Sequence, residues 1–277
     1  GGFLISDRWS LTGATNSAHA GHPTFGFSFR DSDRPINRNN WVAQILGPNQ
    51  HDILITLYNA TGGDNWTNKT NWLGAQGTEC TWHGVQCDGD SNVTHLNLDR
   101  NNLVGNIPSE IGSLSSLQQI FMGGNQLSGT IPSSIAQLEN LNGIWLWGNQ
   151  FNGSLPAFFS QMTQLRYLAL GSNQFSGSIP ESYGDLVNMV DLNLAYNQLS
   201  GSIPASLGNL VNANAINLRD NQLSGAVPAQ VQNLGTVNVW ANPNLTGIAF
   251  GSPAACDNQT PLALGAAVDG ELTPFVD

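Results

Sequence analysis

The stretch LNLAYNQLSGSIP, residues 192–204, decides the architecture because it recurs along the chain with a fixed period. A shortened copy, VNVWANPNLTG, covers residues 237–247. Six full copies in register predict a solenoid, in which each coil is one structural unit that stacks on its neighbours. The asparagines of these copies recur at a constant spacing, at Asn101, Asn125, Asn149, Asn173, Asn197 and Asn221.

The repeated template, L-x-L-x-x-N-x-L-x-G-x-I-P, has a direct physical interpretation. Alternate side chains of a strand face opposite sides, so both leucines of L-x-L are expected to point into the core. The asparagine amide can hydrogen-bond the backbone of adjacent coils and form a buried ladder. Glycine permits the turn that follows, and proline fixes the start of the next segment.

The repeats resemble the plant-type leucine-rich repeat, and the segment before them resembles the N-terminal cap of that class. The cap residues that match are Cys80, Trp82, Gly84, Val85 and Cys87, within CTWHGVQC. The resemblance implies an α/β solenoid, a right-handed leucine-rich-repeat superhelix with a parallel concave β-sheet, a second sheet of short strands and a capped N-terminus. It also implies similarity to receptor ectodomains and to polygalacturonase-inhibitor-like proteins.

We expect four regions along the chain. Residues 1–49 form an N-terminal extension, predicted as a β-hairpin from GGFLISDRWSLTG and TFGFSF. Residues 50–94 form the cap with its helix and cysteine pair, residues 95–251 about seven repeats, and residues 252–277 a C-terminal cap or tail. The extension either shields the first coil or adds as a strand to a neighbouring molecule.

Composition and charge exclude several classes of partner and of chemistry. The 277 residues carry a net charge of −11 with only eight lysines and arginines, which makes nucleic acids and anionic membranes poor partners. No apolar run approaches the roughly 20 residues that span a bilayer. His19 and His22 lack further ligands at metal spacing, and the stretch that begins at Asp88 has Val93 at the position where a calcium loop requires glycine. We therefore expect no enzyme, no metal and no cofactor.

Cysteines and glycosylation signals favour an extracellular or cell-surface location. By spacing alone, Cys80 and Cys87 could form a short disulfide or remain reduced, and Cys256 is distant from both. The family resemblance implies that the first two are paired, and leaves Cys256 without an assigned partner. Seven Asn-x-Ser/Thr triplets are possible N-glycosylation sites, at Asn59, Asn65, Asn68, Asn92, Asn152, Asn244 and Asn258.

The outward positions of the concave strands predict a binding surface. Around the aromatic side chains lie Gly123, Gly124, Gly143, Gly148 and Gly171, which are expected to keep the surface open. An apolar patch with a polar rim is typical of contact surfaces for proteins or glycans. The alternative is that neighbouring aromatic rings merely pack on each other across the sheet. The candidate ligand-binding residues are Phe121, Trp145, Trp147, Tyr167, Tyr196 and Trp240.

Two other functions remain open at this point. In the first, the chain is a structural subunit of an extracellular filament or surface structure, assembled through residues 1–49. In the second, a small, uncharged Ser/Thr/Gln ladder on the second sheet orders water and binds ice. Thr130 and Ser178 belong to this ladder, in columns expected to repeat once per coil.

Overall fold

A computed structural model describes residues 15–17, 24–26, 49–234 and 236–246. The chain divides into two compact units, residues 1–49 and residues 50–277. In the first unit, strands β1 (Thr15–Ser17) and β2 (Thr24–Gly26) pair antiparallel, with Asn16 opposite Phe25. Strand β2 lies in the predicted TFGFSF, whereas β1 follows the predicted GGFLISDRWSLTG, which is outside the described residues.

The second unit begins with the cap. Helix α1 (Gln50–Ala60), which the resemblance implies, buries Leu54 and Leu57 and leaves its other side polar. Short 3-10 helices follow at Gly63–Asn65 and Glu79–Thr81. The Tyr58 ring and the indoles of Trp66, Trp72 and Trp82 form one buried cluster with ring centroids 4.7–5.9 Å apart. These rings close the apolar end of the first coil.

The concave sheet has eight strands, in the order β16-β14-β12-β10-β8-β6-β4-β3, and the predicted solenoid is confirmed. Only β3 and β4 pair antiparallel, and every other pair is parallel. Partners in the full coils are equivalent residues of consecutive repeats, as with Phe121 opposite Trp145, so the predicted outward columns hold here. The strands are β3 (Val85–Cys87), β4 (Val93–Asn97), β6 (Gln119–Phe121), β8 (Gly143–Trp145), β10 (Tyr167–Ala169), β12 (Asp191–Asn193), β14 (Ala215–Asn217) and β16 (Val237–Asn238).

The second sheet has seven parallel strands, and its register differs from the prediction. Partners between full coils are not equivalent residues, so Ser128 is opposite Gln150 and not opposite Asn152. The expected columns of equivalent positions are therefore wrong for this sheet, because its strands are staggered by two residues from coil to coil. In the order of the chain the strands are β5 (Val104–Gly105), β7 (Gln126–Gly129), β9 (Gln150–Ser154), β11 (Gln174–Gly177), β13 (Gln198–Gly201), β15 (Gln222–Ala226) and β17 (Asn244–Thr246).

A helical segment after each proline completes the coil on the side away from the concave sheet. Each proline precedes its segment with an extended backbone, as at Pro132 with φ −67°. The last segment is a short α-helix, α2 (Ala229–Gln232). The others are 3-10 helices, at Ser109–Ser113, Ser133–Gln137, Ala157–Gln161, Glu181–Asp185 and Ala205–Asn209.

The predicted asparagine ladder holds the coils together. The Asn125 side-chain oxygen accepts hydrogen bonds from the Asn101 and Leu103 N–H groups, at 2.9 and 3.0 Å. Its Nδ2 group donates to the carbonyls of Leu98 and Met122, both at 2.9 Å. One buried amide therefore satisfies backbone groups of two consecutive coils, which explains why each coil carries asparagine at this position.

Candidate functional site on the concave sheet

The middle of the concave sheet carries a packed aromatic stack. The Phe121 and Trp145 rings are parallel to within 12°, with centroids 4.3 Å apart. Tyr167 stacks on the other side of Trp145 at 5.5 Å. Trp145 is consequently only 4% exposed, and Phe121 only 7%. For Trp145 the alternative of packing between neighbouring aromatic rings holds, because both faces of its indole are covered by neighbouring coils.

Glycines beneath the indoles explain how these rings fit. A Cβ added at Gly143 would overlap the Trp145 ring, and one added at Gly123 would overlap the Trp147 ring. The prediction that these glycines keep the surface open is therefore wrong at these two positions. Because these two glycines have no side chain, space is left beside them, and the Trp145 and Trp147 rings fill it.

Trp147 lies two residues after Trp145 in the same coil, and its side chain is partly accessible to solvent. The Arg100 guanidinium lies over its ring, 5.3 Å from the centroid. Such cation–π contacts hold both side chains in place and contribute about 0.5–1 kcal/mol at exposed sites. Trp147 therefore presents a half-buried ring at the N-terminal end of the candidate site.

The C-terminal coils carry the most exposed aromatic side chains of the candidate set. Tyr196 is 48% exposed and Trp240 is 62% exposed. Arg219 lies near both rings, 5.0 Å from the Tyr196 centroid and 6.0 Å from the Trp240 centroid. The Arg219 Nε group donates to Asp220 Oδ2 at 2.7 Å, so the guanidinium is fixed from two directions. This arrangement, termed the Arg219 clamp, consists of Tyr196, Arg219, Asp220 and Trp240.

Tyr196 adopts a backbone conformation that L-amino acids rarely use. Its φ is +55°, and equivalent positions in other coils, such as Ser172 with φ +54°, are also positive. This column lies just after the ends of the concave strands, where the chain turns, and Tyr196 is exposed there. The turn places the Tyr196 ring beside the next coil, where it meets Arg219.

Three asparagines form a second row that the sequence analysis did not single out. The side-chain oxygens of Asn193, Asn217 and Asn238 accept the N–H groups two residues later, at 3.0–3.3 Å. Within the described part of the chain, their Nδ2 groups donate to no protein acceptor. The row continues the aromatic stack along the sheet and offers hydrogen-bond donors beside the Arg219 clamp. The presence of Asn193 and Asn217 at equivalent positions was the available signal.

Burial alters the charge state of the carboxylates on this face. Burial raises the pKa of Asp99 to about 6, although the Gly123 N–H and the Arg100 charge oppose that change. Burial also raises the pKa of Asp191 and lowers the pKa of His95. Asp99 therefore begins to lose its negative charge in mildly acidic solution.

The other predicted positions that the structure describes lie away from this face. The Cys80–Cys87 disulfide is confirmed and lies in the cap, and Cys256 is outside the described residues. Asp88 accepts hydrogen bonds from the N–H groups of Asp90 and Asn92, so this stretch forms a turn. The pKa of Asp88 is lowered, chiefly by its hydrogen bond from the Asn92 backbone. His19 and His22 are also outside the described residues.

The described residues have three further features. No group of three or more His, Cys, Asp or Glu side chains there could hold a metal ion. None of the helices found in those ranges is long and apolar enough to cross a membrane. Six predicted glycosylation asparagines have exposed positions, at Asn59, Asn65, Asn68, Asn92, Asn152 and Asn244, and the seventh, Asn258, is outside the described residues.

Comparison with sequence families identifies the repeats. The family model described as Leucine Rich Repeat matches residues 92–114, 116–138, 164–186 and 188–210. A probable LRR receptor-like serine/threonine-protein kinase of Arabidopsis thaliana is 41% identical over 49 residues, which are 18% of this chain and 6% of the relative. The match is thus a small part of that kinase, and kinase activity does not follow from it.

Solved structures match over a longer range. The Arabidopsis receptor kinase HAESA, in complex with the peptide hormone IDA and the co-receptor SERK1, aligns with a TM-score of 0.65 at 32% identity over 70% of this chain and 34% of HAESA. A plant ice-binding protein aligns with a TM-score of 0.60 at 31% identity, over 66% of this chain and 59% of that protein. A chain of the Arabidopsis BIR3–SERK2 complex is 30% identical with a TM-score of 0.51, and the alignment covers 62% of this chain and 95% of that one.

Proposed function

From the premise that the chain belongs to the leucine-rich-repeat family of the plant receptor-ectodomain type, we propose that it is a non-catalytic extracellular recognition module. Its ligand is a protein segment bound on the concave sheet. The observation that carries the proposal is the Arg219 clamp, in which Tyr196 and Trp240 are exposed on both sides of a fixed guanidinium.

The concave geometry favours a protein over a glycan. Sugar rings stack on free aromatic faces. Both faces of Trp145 are covered by Phe121 and Tyr167, and Arg219 lies over one face of the exposed Tyr196 and Trp240 rings. The Asn193, Asn217 and Asn238 amides offer N–H donors in a row, which suits the carbonyls of an extended peptide. Exposed Trp, Tyr and Arg side chains are the residue types that most often dominate protein interfaces. The peptide hormone bound by HAESA lends further support.

A random peptide library displayed on phage tests this proposal. Peptides selected on the parent chain should bind at least tenfold more weakly to Trp240→Ala and Tyr196→Ala, because interface aromatic residues often contribute about 2 kcal/mol or more. Val104→Ala, which shortens an exposed apolar side chain on the second sheet, is the matched control and should bind as the parent does. Affinities come from biolayer interferometry of the selected peptides.

Two outcomes would contradict the proposal. A selection that yields no peptide with a preference for the parent over Trp240→Ala would show that the Arg219 clamp is not part of the binding site. A glycan array that reveals a saccharide whose binding depends on Trp240 would assign the concave face to a glycan ligand.

Ice binding is a second candidate, favoured by the similarity to a plant ice-binding protein. The outward side chains of the second sheet are uncharged, and Thr130, Ser154, Ser178 and Ser202 are exposed along it. Thermal hysteresis of the parent should then be lost when Thr130 and Ser178 become tyrosine, while Trp240→Ala keeps it. Hysteresis that survives the two tyrosines, or is absent from the parent, would exclude this surface as an ice-binding face.

A further inference from the structure

A polar groove lies at the edge of the concave sheet, where three consecutive coils lead into strands β10, β12 and β14. Its volume is about 520 Å³, which is within the range of small-ligand sites. The lining residues occupy two equivalent positions of each coil, so they form a grid of two columns and three rows. This flank groove is lined by Gln164, Arg166, Asn188, Val190, Asn212 and Asn214.

Arg166 gives the groove its positive charge. Its guanidinium lies over the Tyr167 ring, 5.6 Å from the centroid, and its side chain is exposed. Among the described residues, no carboxylate lies within ion-pair distance of Arg166, whereas Arg219 is paired with Asp220. A guanidinium held against an aromatic ring without an acidic partner is suited to bind a carboxylate from outside.

The amides around Arg166 are arranged to receive hydroxyl groups. The Nδ2 groups of Asn188 and Asn212 donate to the carbonyls of Thr163 and Val187, both at 2.9 Å, which fixes these two amides with their oxygens free to accept. Within the described ranges, the Gln164 and Asn214 side chains have no internal hydrogen bond. A primary amide both donates and accepts, so four of them match the paired hydroxyls of a sugar.

The lining also argues against other ligands. Among the described residues that line the groove, Val190 is the only apolar one, and they form no apolar pocket for the side chains of a peptide. The described lining contains Arg166 and no further lysine or arginine, and a single arginine is a weak site for a multiply charged phosphate. The combination of one guanidinium with four amides fits a ligand that has one carboxylate per unit and many hydroxyls.

We propose that the flank groove binds an acidic oligosaccharide, with Arg166 pairing with a uronate carboxylate and the surrounding amides holding its hydroxyls. The site is separate from the Arg219 clamp and does not depend on the peptide-binding proposal. A single guanidinium pairs with a single carboxylate, so the groove would hold one acidic sugar unit while the concave face stays available for a protein ligand.

Isothermal titration calorimetry with three defined probes tests this site on the full chain. The probes are a trimer of galacturonic acid, a neutral trimer of galactose and the peptide triglutamate. The parent should bind the acidic trimer, and Arg166→Gln should bind it at least tenfold more weakly. Lys69→Gln in the cap removes the same charge far from the groove and should bind as the parent does. Asn214→Leu keeps Arg166, fills the groove and should also weaken binding.

Each other result would overturn the proposal. Equal losses in Arg166→Gln and Lys69→Gln would show general attraction by charge. Equal binding of the neutral trimer would remove the role of the carboxylate, and equal binding of triglutamate would make the ligand an acidic peptide. Failure of the parent to bind the acidic trimer at millimolar concentration would exclude the site, and thermal unfolding of each variant confirms that it is folded.

Discussion

At the scale of single residues, the concave face carries two kinds of side chain. Some stabilise the packing of the coils, and others remain available to a ligand. Trp145 belongs to the first kind, because its indole is covered by Phe121 and Tyr167 and lies over Gly143. Trp240 belongs to the second kind, because most of its side chain faces solvent. Both are outward tryptophans in the sequence pattern, and only their neighbours distinguish them.

Asp99 makes the stability of the molecule depend on pH. Its folded pKa of about 6 exceeds the unfolded value of roughly 3.9, so between these values the folded chain holds a proton that the unfolded chain releases. The free energy of unfolding should therefore fall as pH rises from 4 to 6, by about 1–2 kcal/mol for this site. Asn at this position keeps an oxygen for the Gly123 N–H but cannot titrate.

Urea unfolding of the parent and of Asp99→Asn at pH 4, 5, 6 and 7 measures this effect. Subtracting the two curves removes the opposing contribution of His95, whose lowered pKa favours the folded state as pH rises. A difference that stays constant across the range would show that Asp99 does not titrate between these values.

At the scale of the repeat element, the asparagine ladder is the feature whose stability is most sensitive to single substitutions. The Asn149 oxygen accepts the Leu127 N–H at 2.9 Å, and its Nδ2 group donates to the Met122 carbonyl at 2.9 Å. Asn149→Ala should lower the free energy of unfolding by about 3 kcal/mol, because buried backbone groups lose their partners. Chemical denaturation provides the measurement.

The matched control for the ladder is three residues away. Asn152 is exposed on the second sheet, and Asn152→Ala should change the free energy of unfolding by no more than about 0.5 kcal/mol. A similar loss in both variants would mean that asparagine acts here through local backbone preference and not through the buried ladder.

The sequence predicted the elements better than it predicted their contacts. The L-x-L strands, the ladder and the concave register follow from periodicity, since equivalent residues must be neighbours when coils of equal length stack. The stagger of the second sheet does not follow, because it depends on how obliquely each chain segment crosses the coil. The burial of Trp145 does not follow from periodicity either. It depends on the indole pointing toward Gly143 and on aromatic residues in both neighbouring coils, Phe121 and Tyr167.

At the scale of the whole molecule, the role of residues 1–49 remains a prediction. The structure describes only two short strands there, which form an antiparallel pair. If this extension adds to a neighbouring chain, the intact protein should form oligomers, and a version that starts at Gln50 should be a monomer. Size exclusion with multi-angle light scattering gives the molar mass of each version.

The molar masses distinguish between two roles of residues 1–49, shielding of the first coil and assembly with a neighbouring chain. Monomers in both cases would support shielding of the first coil, and the assembly hypothesis would be rejected. Oligomers in both cases would place the self-association surface within residues 50–277 and would also contradict assembly through the extension.

The stack of Phe121, Trp145 and Tyr167 over Gly143 has a consequence for how such a chain can change over generations. Because most coils have equal length, duplication or deletion of one whole coil by unequal crossing-over keeps both sheets in register. The second, third and fourth coils are one exception, since one indole needs a partner on each side and a glycine of its own, so these coils must be inherited as a block. The coils that carry Tyr196, Arg219 and Trp240 are another, because the loss of any one of them would break the Arg219 clamp.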